Sequence, residues 1–149
     1  MKQDAKHLWG IDIVGLFPVA PGQRKFMLVA IEYFTKWVQA EPLAHITQAP
    51  GSHPFVGIPR EIISDNGRQF KGRRIHEWCQ GLHIRQRFTS VAHPQSNGQV
   101  EVTNRILVQG IKSRLDRVGG NWTEELTSVL WAYRTTPRGS TGESPFSLV

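Results

Sequence analysis

The sequence predicts a single α/β domain: three strands in quick succession, then a strand, a helix and a further strand, then two helices. Three observations predict it. In "WGIDIVG" the large apolar residues Trp9, Ile11 and Ile13 alternate with Gly10, Asp12 and Val14, which is the period of a strand. The turn formers of "PVAPGQRK" then separate this strand from the apolar run "FMLVAIEYF". Later in the chain Leu107, Ile111, Leu115 and Val118 recur at helical spacing. With 149 residues, the chain has room for one hydrophobic core, so the domain is expected to be single.

Each element follows from its own residues. "FMLVAIEYF" reads as a buried second strand and "KWVQAEPL" as a third, so the three form an antiparallel meander. The stretch 45–57, "HITQAPGSHPFVG", carries prolines and glycines where a crossover to a parallel strand needs a dozen or more residues and usually a helix. A short fourth strand at residues 61–64 ends in the turn Asp65-Asn66-Gly67. Residues 70–81 place Phe70, Ile75, Trp78 and Cys79 at helical spacing, with Gly81 as the stop. "LHIRQRF" reads as the fifth strand. Ser96 and Gln99 have capping-box spacing, which predicts a helix from Asn97 whose buried stripe is Leu107, Ile111, Leu115 and Val118. Glu101, Arg105, Val108 and Lys112 form a second stripe on a more exposed face. "GGN" breaks that helix; Asn121 and Glu124 then cap another, with Trp122, Leu126, Val129, Leu130 and Tyr133 as its apolar positions. "TTPRGSTGESP" ends the regular structure.

Eighteen Lys and Arg against twelve Asp and Glu give a net charge of +6, distributed along the chain, which favours a polyanionic partner. Cys79 is the single cysteine, so an intrachain disulfide and a thiolate-based zinc cluster are both excluded, and the chain suits a reducing compartment. The opening "MKQDAKHLWGIDIVG" has no continuous apolar region, and no stretch approaches the roughly 18 apolar residues of a spanning helix, which disfavours secretion and membrane insertion. The six histidines show no zinc-ligand spacing.

Three carboxylates stand out by position: Asp12 inside the first strand, Asp65 just past the fourth, and Glu101 early in the long helix. Singly each has an ordinary reading, as a strand charge, a turn residue and a solvated helix residue. Brought together they would repel one another unless hard cations such as Mg²⁺ or Mn²⁺ compensated their charge. Two such ions can activate a hydroxyl and stabilise the departing oxygen of an in-line displacement at phosphorus. Asp65 and Glu101 are 36 positions apart, which leaves room for a helix, a strand and a loop at 90–95. That loop is placed to lie over the site and contact DNA through His93, Gln95 and Asn97.

Taken in order, "WGIDIVG", "FTKW", "GIPREIISDNGRQF", "FTSVAHPQSNGQVEVTNR" and "LWAYRTTPRGSTGESPFSL" closely resemble the integrase catalytic core of gypsy-type long-terminal-repeat retrotransposons, particularly those of plants. The resemblance covers essentially the whole chain. It implies a ribonuclease-H-like fold, a five-stranded mixed sheet flanked by helices, with an Asp-Asp-Glu triad that holds two Mg²⁺ or Mn²⁺ ions. Matched by motif, the triad is Asp12, Asp65 and Glu101. It also implies 3′-end processing and strand transfer of DNA, a homo-oligomer of paired cores, no membrane, and action in the nucleus, where the DNA lies. Asn66, His93, Gln95, Asn97, Arg105 and Lys112 are the nucleic-acid-binding residues that it suggests, Arg105 and Lys112 through phosphates.

The chain departs from the family in two places. Relatives carry a helix between the third and fourth strands, where this chain has the short 45–57 crossover. Glu32 stands where relatives usually have Asp in "DYFTKW". Complete family proteins add an N-terminal His-His-Cys-Cys zinc module and a C-terminal DNA-binding domain. Residues 1–149 are therefore expected to be the catalytic core alone, a fragment with a partial internal deletion. Whether such a copy is an active enzyme stays open at this level. The alternatives are a catalytically inactive nucleic-acid-binding remnant, or a dimerisation module to which Trp122, Trp131 and Tyr133 contribute.

Overall fold

The computed structural model describes residues 8–46, 59–65, 67–89, 95–137 and 142–148. Its five strands are β1 (Leu8–Val14), β2 (Phe26–Glu32), β3 (Val38–Leu43), β4 (Glu61–Ser64) and β5 (Arg85–Phe88). Its helices are α1 (Arg68–Lys71), α2 (Arg73–Gly81), α3 (Gln95–Val118), α4 (Trp122–Thr135) and α5 (Pro145–Leu148). The strands form one mixed sheet in the order β3-β2-β1-β4-β5. β1, β2 and β3 are the expected antiparallel meander, while β4 pairs parallel to β1 and β5 parallel to β4. The connection from β3 to β4 must therefore travel from the sheet edge past two strands. Most of the 45–57 crossover that the sequence marks as shortened lies outside the described residues.

Side chains alternate across the sheet, and each face has its own core. Trp9, Ile11, Leu28, Ala30 and Ile62 pack with Phe70, Ile75 and Cys79 of α1 and α2. On the other face Met27, Val29, Ile31 and Val38 pack with Val100, Leu107 and Ile111 of α3 and with Trp122, Leu126 and Leu130 of α4. The result is a three-layer α/β/α sandwich of the ribonuclease-H-like kind, the class that the sequence predicts. Arg134 fixes α4 to the edge strand: its Nε and Nη2 donate to the Val38 carbonyl at 2.9 and 2.7 Å, and its guanidinium lies 4.4 Å from the Trp37 ring centroid.

Several boundaries differ from expectation. The helix predicted over 70–81 is two helices, because Gly72 adopts extended backbone (φ −66°, ψ 157°) between them. Gly81 is still helical; the stop lies at His83, which takes the left-handed conformation (φ 58°). There the Ile84 N–H bonds the Cys79 carbonyl at 2.8 Å and the His83 N–H bonds that of Gln80 at 3.1 Å, while Ile84 buries itself in the adjoining core, a Schellman ending with His in the usual glycine place. α3 begins at Gln95, so Ser96 is already inside the helix and cannot cap it from Asn97. Gln99, the other half of the expected capping box, accepts a hydrogen bond from Lys36 Nζ. Val118 is 68% exposed, since the helix runs past the edge of the core there. α5 was not expected, because Pro145 opens a single turn too short to leave a periodic pattern. By contrast Asn121 caps α4 as expected, accepting from the N–H groups of Thr123 and Glu124 at 3.1 and 3.2 Å.

Candidate active site

Strand register sets the site. Leu8, Trp9 and Gly10 of β1 stand opposite Glu61, Ile62 and Ile63 of β4. The ladder ends there, so Asp12 lies two residues past it on β1 and Asp65 two residues past it on the β4 side, where the two parallel strands run in the same direction. Asp12 points to the face under α3, where Asn104 meets it. β4 ends at Ser64, and Asp65 begins a turn in which its Oδ1 accepts the Gly67 N–H at 2.8 Å. A Cβ on Gly67 would fall 2.8 Å from that same oxygen and 2.7 Å from the Gln69 amide, so a larger residue there would displace the Asp65 and Gln69 side-chain ends.

α3 brings the third carboxylate. Val100 is fully buried, and Gly10 lets it come close: a Cβ on Gly10 would meet Val100 Cγ2 at 2.6 Å and the Tyr33 hydroxyl at 2.3 Å. Gly10 and Asp12 share one face of β1, so the helix turn that packs on Gly10 leads directly to the turn carrying Glu101. Glu101 itself is exposed.

Asp12 reports the company it keeps. Burial pushes its carboxyl up to about 6, and the negative charges of Asp65 and Glu101 add to the shift. Two hydrogen bonds act the other way: the Ile13 N–H donates to Oδ1 at 2.9 Å, and Asn104 Nδ2 donates to Oδ2 at 2.9 Å. Asn104 is only 8% exposed, and its Oδ1 is buried with no hydrogen-bond partner among the described residues. Leaving such an acceptor unmade costs roughly 1–3 kcal/mol. Asp65 and Glu101 are thus both near enough for their charges to act on Asp12.

Among the described residues no three Asp, Glu, His or Cys side chains stand close enough to form a ready-made metal cage. The donor set nevertheless suits a hard divalent cation. It is all oxygen, and the negative charges that act on Asp12 are of the kind that a cation would offset.

The remaining expected site residues are dispersed. Arg105 and Lys112 lie exposed on α3, two turns apart. Gln95 and Asn97 fall in the first turn of α3, with side chains outside the described residues; Asn66 and His93 lie outside them altogether. Glu32 is buried, and its carboxylate accepts the N–H groups of Phe34 and Thr35, so its work is to close the β2–β3 turn. Of the aromatic residues assigned to an intermolecular face, Trp122 and Tyr133 are core residues, and Trp122 Nε1 donates to the Pro18 carbonyl at 2.9 Å. Trp131 alone is exposed, at 57%. No described helix is long and apolar enough to cross a membrane.

Gly10 and Asn104 are the residues that sequence reasoning missed. A signal for Asn104 existed: the buried stripe of α3 extends backward from Ile111 and Leu107 through Asn104 to Val100. A lone amide in an otherwise apolar stripe calls for a partner.

A mixed five-stranded sheet in the order β3-β2-β1-β4-β5 flanked by helices is a ribonuclease-H-like α/β fold. The TnsB C-terminal domain family matches residues 15–117, and the chain belongs to it, as a retroviral-integrase-like core. The match includes Asp65 and Glu101 and begins just after Asp12. The Gag-Pol polyprotein of avian reticuloendotheliosis virus is 34% identical over 148 residues, covering 95% of this chain and 13% of the polyprotein. The chain therefore spans a small part of the curated relatives that it matches. The fold is similar to the magnesium-bound HTLV-2 integrase catalytic core domain in trimeric form, with a TM-score of 0.74, 20% identity and 95% of each chain covered. It is also similar to a chain of the simian T-cell lymphotropic virus intasome, with a TM-score of 0.78, 21% identity, and coverage of 96% of this chain and 54% of that one.

Proposed function

We propose that this chain is the catalytic core of a DNA integrase of the gypsy-type retrotransposon group, plant-type by its motifs, and a metal-dependent polynucleotidyl transferase acting in 3′-end processing and strand transfer. What supports the reading is the retroviral-integrase-like fold, together with the placement of Asp12 on β1 and Asp65 just past the end of the neighbouring parallel strand β4, and the charges of Asp65 and Glu101 that add to the upward shift of the Asp12 carboxyl. In this reading the three carboxylates hold two Mg²⁺ or Mn²⁺ ions. When bound, these supply a lowered pKa for the attacking hydroxyl and charge stabilisation at the reacting phosphate. The chain's own contribution is placement: β1 and the β4 turn fix two ligands on rigid elements, and α3 supplies the third. Arg105 and Lys112 lie along α3 beyond Glu101 and serve as phosphate contacts, which position DNA without reading its sequence. Asn66, His93, Gln95 and Asn97 complete the DNA face.

Residues 1–149 act in this reading as one core domain with a partial internal deletion at the 45–57 crossover, in the nucleus, where the substrate lies. Cores pair through the exposed aromatic surface of Trp131 and Phe146, whose rings meet edge to face at 5.7 Å.

A Mn²⁺-dependent disintegration assay on branched DNA, the reverse of strand transfer, tests the proposal. The purified chain is expected to release product, and Asp65→Asn, shown by circular dichroism to be folded, is expected to release none. If the wild-type chain folds and binds DNA yet makes no product, the chain is a nucleic-acid-binding remnant.

A further inference from the structure

We propose that Asn104 is a positioning residue for this reaction, holding the Asp12 carboxylate in the orientation in which it shares a cation with Asp65 and Glu101; the inference rests on the function proposed above. Three observations carry it. Asn104 is one helical turn from Glu101 on the buried side of α3, so a single turn of helix contributes one acidic side chain to the site and one amide to the base of its neighbour. Its Nδ2 donates to Asp12 Oδ2 at 2.9 Å, across 92 residues of sequence. Its Oδ1 is buried and has no hydrogen-bond partner among the described residues.

That asymmetry separates positioning from packing. A polar residue kept in a core for stability satisfies both of its ends, and an apolar residue of equal volume would suit this site among Val100, Leu107 and Ile111 better. An amide with only its donor engaged is explained by what the donor holds. With the Ile13 N–H on Oδ1, the Asn104 bond gives Asp12 one fixed donor on each oxygen. That fixes the plane of the carboxylate and leaves each oxygen a further lone pair for a cation.

The test uses the 149-residue chain with Asn104→Leu and Asn104→Asp in the disintegration assay, together with Mn²⁺ binding read from the free-ion electron paramagnetic resonance signal. Asn104→Leu is expected to stay folded, to lose about 10–100-fold in kcat with KM for DNA unchanged, and to bind Mn²⁺ several-fold more weakly. Asn104→Asp keeps the shape and replaces the donor by a fourth negative charge; it is expected to lose turnover to at least the same degree. A folded Asn104→Leu with wild-type kcat and wild-type Mn²⁺ binding overturns the inference and leaves the proposed function standing. If Asn104→Leu fails to fold, Asn104→Asp decides, and its retention of full turnover overturns the inference. Should the wild-type chain itself make no product, the proposed function fails, and Mn²⁺ binding alone decides: equal binding by wild type and variant overturns the positioning role.

Discussion

Asp12→Asn is expected to abolish turnover and at the same time to make the metal-free protein more stable at neutral pH. The loss follows from removing a ligand of ions worth several kcal/mol of transition-state stabilisation, so a fall of at least about a thousandfold is expected. The gain follows from the carboxyl being pushed up from 3.8 to about 6 by burial and by the charges of Asp65 and Glu101. Below pH 3.8 both folded and unfolded chains carry a protonated Asp12, and the residue is neutral in its effect. Between there and about 6 the folded chain binds more protons than the unfolded one, so the stability of the wild type falls as pH rises; above about 6 the penalty is complete. Asn removes it. After allowance for solvent screening of a half-buried group and for the hydrogen bond that an amide fits less well, the gain is about 1–2 kcal/mol, or several degrees in Tm at pH 7. Thermal melts of both proteins at pH 3.5 and pH 7 in chelator check this; a difference that is the same at both pH values contradicts it.

Gly10→Ala is expected to be the most damaging small substitution near the site. The added methyl would lie 2.6 Å from Val100 Cγ2 and 2.3 Å from the Tyr33 hydroxyl. Tyr33 can swing its tip away, but Val100 is short and anchored on α3, so the helix has to lift. Overpacking of this kind costs about 1–3 kcal/mol. Because Glu101 follows Val100 directly, the same displacement draws the third carboxylate from Asp12 and lowers turnover even in the folded fraction. Val100→Ala in the Gly10→Ala background is expected to recover part of both losses, the non-additivity of residues in contact. Melting curves and activity per folded molecule measure the two effects; additive losses contradict the steric account.

The layers of this fold are legible in the sequence because each is written in a local period. Trp9, Ile11 and Ile13 mark one face of β1, and Trp122, Leu126, Val129 and Leu130 mark the buried side of α4. The site is legible only as types and order of residues. That β4 pairs parallel with β1, so that Asp65 follows the strand beside the one that carries Asp12, is a long-range pairing that no window around either residue encodes. Asn104 was hidden for a related reason: its partner lies 92 residues away, and only the finished helix-on-sheet contact shows that the amide is spent on a carboxylate. Helix ends were misplaced where an unusual residue took a familiar role, as with left-handed His83 in place of Gly81.

One cation site formed by Asp12, Asp65 and Glu101 is what the proposed function requires. The most direct measurement is the shift in Tm on adding Mn²⁺, compared among the wild-type chain, Asp12→Asn, Asp65→Asn and Glu101→Gln at pH 7. Binding to the folded state alone raises stability by RT ln(1 + [L]/Kd), about 2.7 kcal/mol at a hundredfold excess over Kd. The wild type is expected to melt several degrees higher with Mn²⁺, and each single variant is expected to lose most of that shift. A wild-type shift that survives intact in Glu101→Gln would contradict the account, because α3 would then contribute nothing to the ion.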